Sequence, residues 1–576
     1  MLQIASGKLF QRPPWRKNEL RGVMHTNLWL ERENVLETAA GRLMPTSDLG
    51  RQRCLVYEMM EQIEDDGTGK NLLISHGIDP YISEFAPITS FGLNATCTTD
   101  PDLYQRLIFA GPSRSARFHP RNFVRQVFDE TVPCQTADAS RFVAFVDHLL
   151  GLERRSYKAA IRAIRTYTAG LHRLADDMDL AYTLLVASIE SLAQGFDSHI
   201  PEWHDYEDSK RTKIDEALAE APPITAQLVR DALLSIEHVS LARRFRDFTL
   251  DHLTPKFFRD EARPEDRPLG RAELPDALAT AYRLRSRYVH NLEELPRSLT
   301  LGVAYAEAIL VDGSLLLSFQ GLARLARHTI WEFVLRQSKT ESEPYDYHLE
   351  RPGIVHAPLA PQYWVWRPAQ GYPGEGRRRL EGLLDQVSGC HDGAAGATIS
   401  DLRPLLAQVI GDYSTMKMAE RRPFIAMAVI FQCLVGNKDK LEKFDDFWKS
   451  YGQELGQPTA EALVSHVAVG QIPDWPIPDH DAALSKYFSL RGRKSGLRAP
   501  RSIDAGLALT LAERYRTSCN VGRARELISF AVENYPGHRG LRELEVAFDP
   551  VTEIDWFEVV WPRYRRSVES RDAAVL

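Results

Sequence analysis

Residues 282–291, YRLRSRYVHN, place Arg283, Arg285 and Arg287 just ahead of a single histidine, His290. Histidine exchanges a proton near neutral pH, because its ordinary pKa is about 6.5. The planar fork of arginine binds phosphate oxygens in pairs and keeps its charge. Together these residue types suit proton transfer beside a phosphate group.

A helix over residues 273–291 would divide this cluster into two groups. At about 100° per residue, Arg283, Arg287 and His290 share one face, whereas Arg285 lies about 140° from His290. Spacing alone favours a solvated cationic face near a helix C-terminus, where positive charge interacts well with the helix dipole. An active site is the alternative. The apolar stripe of the predicted helix comprises Leu274, Ala277, Leu278, Ala281, Leu284 and Tyr288.

A family resemblance favours the active site. Residues 283–291, RLRSRYVHN, and the upstream apolar segment 184–192, LLVASIESL, resemble the HEPN superfamily and within it the Apea-like branch. In that branch an R-x4-6-H motif ends one helix of a bundle of four or more helices, and four residues separate Arg285 from His290. The resemblance covers residues 151–338.

The resemblance implies a metal-independent endoribonuclease that needs no cofactor and acts as a homodimer or higher homo-oligomer. Both copies of the motif would meet in one cleft, where the 2′-hydroxyl of RNA attacks the adjacent phosphorus. His290 would move the proton, Arg285 would stabilise the phosphorane, and Glu190 would orient one of them. Ser286 stands where the family often has Asn, Asp or His. The residues expected to bind the RNA are Arg283, Arg287 and Asn291.

The same resemblance implies a biological role in antiphage defence or toxin-like growth arrest. The substrate would be an RNA such as tRNA or mRNA, and a flanking domain would bind a protein trigger or regulator. A different class of function stays open: a non-catalytic HEPN dimerisation scaffold with a protein-binding helical-repeat domain. A nucleotide-transfer role has less support, because no G-S followed by paired aspartates occurs in the N-terminal region.

The fold class predicted for the chain is multidomain and mainly α. Short runs rich in Val, Leu and Trp predict a mixed, β-containing domain over residues 1–150. Helical spacing predicts a bundle over 151–338, in which 298–320 is taken as one helix. Residues 339–376 carry six prolines and several Trp and Tyr, which predicts an aromatic-packed connector.

Residues 377–576 are again helical, and 507–538 resemble a tetratricopeptide repeat (TPR). Leu511 and Tyr515 fall on one helix of the pair, and Pro536 closes the unit. Because stacking needs about three repeats, one unit predicts a TPR-like helical domain without establishing the repeat. The small or apolar positions of the second helix are Ala524, Ile528 and Ala531.

Composition limits the remaining possibilities. The formal net charge is −7, so any nucleic-acid binding must come from a local basic patch. No run approaches the roughly 20 apolar residues that cross a bilayer, and the first residues lack a secretory pattern, so no membrane contact and a cytoplasmic location are expected. The six cysteines are far apart in the sequence and form no C-x-x-C pair, which argues against a disulfide framework or a zinc site. They are Cys54, Cys97, Cys134, Cys390, Cys433 and Cys519.

Overall fold

The structure, a computed structural model, forms two compact units, Met1–Val355 (unit 1) and His356–Leu576 (unit 2). The chain is mainly helical with a β-containing N-terminal region, which confirms that part of the prediction. In the part of the chain that the structure describes, every named strand belongs to unit 1. The described residues are 1–31, 35–46, 53–70, 74–109, 119–196, 202–203, 208–236, 241–301, 306–355, 357–435 and 440–562.

The main sheet of unit 1 has the strand order β3-β4-β5-β1-β6, with antiparallel pairing throughout. Its central pair, β1 and β5, aligns Gly22 with Tyr57, and the Tyr57 side chain is fully buried. Two smaller sheets pair β2 with β7 and β8 with β9. The strands are β1 (Pro14–Thr26), β2 (Leu28–Trp29), β3 (Leu36–Thr38), β4 (Gly41–Pro45), β5 (Cys54–Glu64), β6 (Cys97–Thr98), β7 (Val132–Pro133), β8 (Ala308–Val311) and β9 (Ser314–Leu317).

Helices make up the rest of unit 1, and α5 and α6 are its closest helix pair. Gly170 permits this approach, because a Cβ there would lie 3.1 Å from Leu185 Cγ and 3.2 Å from Ala181 O. The helices are α1 (Leu2–Ala5), α2 (Asp79–Leu93), α3 (Pro101–Ile108), α4 (Thr136–Gly151), α5 (Arg154–Arg173), α6 (Met178–Phe196), α7 (Asp208–Ala217), α8 (Pro223–Ile236), α9 (Leu241–Asp251), α10 (Leu274–Asn291), α11 (Arg297–Thr300) and α12 (Phe319–Arg336).

One hydrophobic core runs through unit 1 on both sides of residue 150. Phe91 of α2 lies 5.6 Å from Phe145 of α4 and meets Tyr167 of α5 edge to face at 5.5 Å. Trp331 of α12 stacks on Phe145 at 4.2 Å. The segments 1–150 and 151–338 therefore share their apolar interior.

The helix predicted over 298–320 is wrong. In the described parts of this segment, 298–301 and 306–320, α11 forms at the start, and β8 and β9 make an antiparallel hairpin in the second half. Asp312 and Gly313 connect the strands with φ of 47° and 76°, the positive values that a two-residue type I′ turn requires. An Asp-Gly pair between two apolar runs is a strong hairpin signal, and here it overrides the helical appearance of the sequence.

The proline-rich segment 339–376 contributes to both units. On the unit 1 side, Tyr347 packs 5.9 Å from Phe10 and its hydroxyl donates to Glu64 at 2.7 Å. On the unit 2 side, Val365 is fully buried, and its carbonyl accepts from Arg379 at 2.7 Å. The unit boundary falls within this segment, between Val355 and His356.

Unit 2 is built from helices around its own core. Ala508 and Ala512 of α19 and Ala524 and Ala531 of α20 are fully buried where these two helices pack together, so the helical pair predicted over 507–538 is present. Its assignment as a TPR stays a prediction. The helices are α13 (Glu375–His391), α14 (Arg403–Asp412), α15 (Met418–Leu434), α16 (Phe444–Tyr451), α17 (Ala460–Ala468), α18 (Ile477–Arg491), α19 (Arg501–Thr517), α20 (Val521–Asn534), α21 (Arg539–Ala547) and α22 (Trp556–Val560).

Gly321 is expected to be essential for the packing of α12. A Cβ at this position would lie 2.2 Å from the carbonyl oxygen of Glu307, which the backbone N–H of Ser318 holds at 3.0 Å. We expect Gly321→Ala to lower the free energy of unfolding by about 1–3 kcal/mol, because backbone must move to admit the methyl group. Gly195→Ala is the control, since nothing lies within 4 Å of its Cβ. Urea denaturation showing equal stability of both variants would contradict this packing.

Unit 2 is expected to lose stability in acid. His391 is buried, with its ring 4.8 Å from Trp561, and burial lowers its pKa to about 4. The unfolded histidine has a pKa of about 6.5, so the unfolded state binds more protons between these values. Stability is therefore complete above about pH 6.5 and falls as the pH drops towards 4, by up to about 3 kcal/mol for this residue. Denaturation at several pH values should give a flatter profile for His391→Gln than for the wild type; an unchanged slope would refute the assignment.

Candidate active site

Helix α10 carries the motif and begins and ends within a residue of the predicted limits. Pro275 occupies its first turn, where the missing N–H costs no hydrogen bond. Its buried side packs against α6, α9 and β9. Four predicted core positions, Leu274, Ala277, Leu278 and Ala281, are fully buried.

Arg285 and Glu190 form an ion pair inside the bundle. The Nη2 atom of Arg285 lies 2.6 Å from Oε2 of Glu190, and the two side chains are 20% and 5% exposed. The second carboxylate oxygen of Glu190 accepts from the Tyr282 hydroxyl at 3.2 Å and from the Gln194 amide at 3.3 Å. Glu190 therefore fixes Arg285 through a carboxylate that is itself held on two sides.

Tyr282 and Gln194 are members of this network that the sequence analysis missed. Burial and the nearby Glu190 carboxylate raise the pKa of Tyr282 to about 12, so its hydroxyl stays a donor at neutral pH. The Arg285 guanidinium lies 5.8 Å from the Tyr282 ring. The available signal was helical spacing: Tyr282 stands three residues before Arg285, and Gln194 four residues after Glu190.

His290 lies at the exposed end of α10. It follows Arg285 by five residues, which places it about 140° around the helix and about 7.5 Å further along its axis. Val289 and Leu292 beside it are 46% and 74% exposed. Within one chain, Arg285 thus points to Glu190 on α6, and His290 lies on a different side of α10.

The end of α10 has a defined geometry. Leu292 caps the helix in the left-handed region, with φ of 55°, and donates its N–H to the Tyr288 carbonyl at 2.9 Å. This conformation costs a leucine about 1–2 kcal/mol of conformational free energy, and glycine is the usual residue there. The N–H of Leu295 donates to Asp179 of α6 at 2.6 Å. The segment after His290 is therefore tied to the helix that carries Glu190.

The predicted RNA-binding residues lie on the accessible side of α10. Arg283 is exposed and donates to Thr280 at 3.1 Å. The Glu293 carboxylate forms an ion pair with Arg287 at 3.7 Å and accepts a hydrogen bond from the Asn291 side-chain amide at 3.1 Å. Contacts of this exposed kind are weak, so the two arginines can exchange them for phosphate oxygens.

The described residues offer neither a metal-binding cluster nor a membrane-spanning helix. No three His, Cys, Asp or Glu side chains among them are grouped so that they could hold a metal ion. None of the described helices is both long enough and apolar enough to cross a bilayer.

Comparisons with known proteins found no match, either to a protein-family model, to a curated protein or to a solved structure. The side chains of the site are therefore the guide to function. Their arrangement offers an anchored cation at Arg285, an accessible imidazole at His290 and an exposed basic surface between them.

The Arg285–Glu190 pair is expected to stabilise unit 1. Glu190→Ala leaves a largely buried guanidinium uncompensated, which should lower the free energy of unfolding by about 3 kcal/mol. The matched control is Glu293→Ala. Glu293 is the exposed partner of Arg287, which lies on α10 like Arg285, and its removal should lower the free energy of unfolding by less than about 1 kcal/mol. The double variant Glu190→Leu, Arg285→Leu should recover part of the loss, since no unpaired charge remains. Urea denaturation measures all four proteins, and equal effects of the two single variants would contradict the expectation.

Proposed function

We propose that this protein is a metal-independent endoribonuclease of HEPN type, with a site that combines Arg285 of one copy with His290 of a second copy. The observation that carries the proposal is the separation of these side chains on α10. Arg285 is directed to Glu190, while His290 is exposed at the helix end. A second copy of α10 placed against the first would bring His290 of one chain to Arg285 of the other.

The reaction is an internal transfer at phosphorus. The 2′-hydroxyl of one nucleotide attacks the adjacent phosphorus, the bond to the 5′-oxygen of the next nucleotide breaks, and a 2′,3′-cyclic phosphate and a 5′-hydroxyl result. His290 takes the proton from the attacking hydroxyl or returns one to the leaving oxygen. Arg285 stabilises the negative charge that develops on the phosphorane oxygens.

The other residues of the site serve binding and positioning. Glu190 is a positioning residue, because it holds Arg285 through the Nη2 contact and does not itself reach the surface. The Nε atom of Arg285 is buried and has no hydrogen-bond partner among the described residues, so it is not a donor for the RNA in this arrangement. Arg283, Arg287 and Asn291 bind the RNA backbone and contribute affinity without sequence preference.

The surface beside His290 supports the second copy. Val289 and Leu292 expose apolar side chains next to the imidazole. A symmetric dimer through this end of α10 would cover these side chains in both copies at once. We place the activity in the cytoplasm, in antiphage defence or growth arrest on tRNA or mRNA, under control of a protein trigger.

One observation favours the alternative, a non-catalytic dimerisation scaffold. The Arg285–Glu190 pair is tied to Tyr282 and Gln194, and a pair of this kind specifies helix packing without any chemistry. In that case unit 2 would bind a protein partner, and the exposed end of α10 would serve association only.

Expression of single variants gives the first test. Wild-type protein should arrest growth and cleave total RNA in the presence of EDTA, whereas Arg285→Ala and His290→Ala should each reduce cleavage at least about 100-fold. Arg539→Ala is the control, since this arginine of α21 is 87% exposed and pairs only locally with Glu543. Equal growth arrest and cleavage in all four proteins would overturn the proposal.

A mixing experiment tests the shared site. A dimer of one Arg285→Ala chain and one His290→Ala chain has one site that lacks both residues and one site that is intact. Co-expression should therefore restore cleavage to about half of the wild-type level per mixed dimer, as expected for two independent composite sites. If each chain used its own pair, mixing would restore nothing. Stable dimers without cleavage in any combination would favour the scaffold.

A further inference from the structure

Unit 1 contains a polar cavity of about 390 Å³, bounded by α12 and by segments near residues 94, 125, 167 and 265. Its volume lies in the range of small-molecule sites, about 300–1,000 Å³. Arg285 and His290 are not among the residues that line it. The cavity is therefore separate from the proposed nuclease site.

Arg327 is the unusual cation of this cavity. Its Nε and Nη2 atoms donate to the carbonyls of Phe91 and Gly92, each at 2.8 Å, at the end of α2. Its guanidinium also lies over the Trp331 ring, 5.4 Å from the ring centre. Within the described residues no carboxylate lies in ion-pair distance of Arg327, and its Nη1 atom has no hydrogen-bond partner.

The other two arginines of the cavity already have carboxylate partners. Arg125 pairs with Asp266 at 2.9 Å, and Arg324 donates to both oxygens of the buried Glu307. Arg327 differs because its hydrogen bonds go to main-chain carbonyls and the nearest carboxylate that acts on its charge, Glu261, forms an ion pair with His328 instead. Burial lowers the pKa of Arg327, which reflects the cost of holding this charge away from water. An anion in the cavity would offset that cost, and phosphate suits the guanidinium fork best.

Hydrogen-bond acceptors lie at the opposite end of the cavity. The Glu265 carboxylate accepts from the Gln320 amide at 3.0 Å, and Gln320 in turn accepts from the Arg125 backbone N–H at 2.9 Å. Burial and the charge of Glu307 raise the pKa of Glu265. Gln320 and Glu265 thus form a fixed pair of amide and carboxylate groups, and groups of these types form hydrogen bonds with the edges of nucleobases.

Spacing along α12 decides the class of ligand. Gln320 and Arg327 are seven residues apart on this helix, which separates them by about 10.5 Å along its axis. An α-amino acid carries its ammonium and carboxylate on one carbon and cannot reach both ends. A nucleotide carries its phosphate and the polar edge of its base at opposite ends, and it spans such a distance.

One residue of the cavity wall, Gln126, is held in a costly conformation, whereas Asn94 has the left-handed conformation usual for an asparagine that ends a helix. Asn94 and Gln126 both line the cavity and both have positive φ, 49° and 63°. The Asn94 amide donates to the Gln126 side-chain oxygen at 2.8 Å, and Thr96 donates to the Val127 carbonyl at 2.7 Å. Non-glycine residues persist in this region when the surrounding structure enforces it, and such strain is concentrated at binding sites.

We propose that this cavity binds a nucleoside monophosphate, with its phosphate on Arg327 and its base edge on Glu265 and Gln320. The site does not depend on the nuclease activity, and it gives the protein a means of sensing the nucleotide pool.

The test is isothermal titration of the full-length protein with AMP, GMP, CMP and UMP, and separately with inorganic phosphate and the four nucleosides. At least one monophosphate should bind in a 1:1 ratio, at least about tenfold more tightly than phosphate or its own nucleoside, because both ends contribute. Arg327→Gln should weaken that binding by about 10-fold to 100-fold. Arg336→Gln is the control, since this arginine of α12 is outside the cavity and pairs with Asp251.

Glu265→Gln keeps the test decisive if loss of the Arg327 contacts prevents folding. This change keeps the shape of the side chain but replaces one acceptor oxygen by a donor, so it should change the order of affinity among the four monophosphates while leaving phosphate binding unaltered. The proposal fails if no monophosphate binds at millimolar concentration, if phosphate alone binds as tightly, or if Glu265→Gln leaves the order of the bases unchanged.

Discussion

The contact on which unit 1 most depends is the aromatic cluster of Phe91, Phe145, Tyr167 and Trp331. These rings join α2, α4, α5 and α12, so four helices from distant parts of the sequence share one centre. From there α5 holds α6 closely at Gly170, and α6 carries Glu190. The position of the candidate active site is thus set by packing that lies well away from it.

Arg285 and Arg327 of unit 1 are both partly buried, and the cost of removing their positive charge from water is offset in different ways. Arg285 is neutralised by a carboxylate, so a phosphate that approaches its guanidinium must compete with Glu190. Arg327 is stabilised by two carbonyls and an aromatic face, which lower its energy without cancelling its charge. Arg285 is therefore suited to a transient charge that develops during reaction, and Arg327 to a ligand that carries a full negative charge.

Local patterns in the sequence predicted helix α10 and its buried stripe, because periodicity and the Pro275 start signal act within one element. The hairpin around Asp312 and Gly313 was predictable from its turn residues, but apolar runs on both sides resembled a helix. Gln194 follows Glu190 by one helical turn, whereas the contact of Tyr282 with Glu190 joins residues 92 positions apart. Single-sequence periodicity says nothing about which helix faces meet, so the Tyr282 contact needed the tertiary structure.

The segment around Tyr347 has a further consequence for the synthesis of the protein. Tyr347 donates to Glu64 of β5 across 283 positions, and Arg351 donates to the Ile74 carbonyl across 277. At a translation rate of about 5–20 residues per second, the N-terminal sheet waits about 15–60 s on the ribosome before this closing segment emerges. During that interval Phe10 and the buried acid Glu64 lack their native cover, so the nascent sheet exposes an apolar ring and a carboxylate that the finished unit buries.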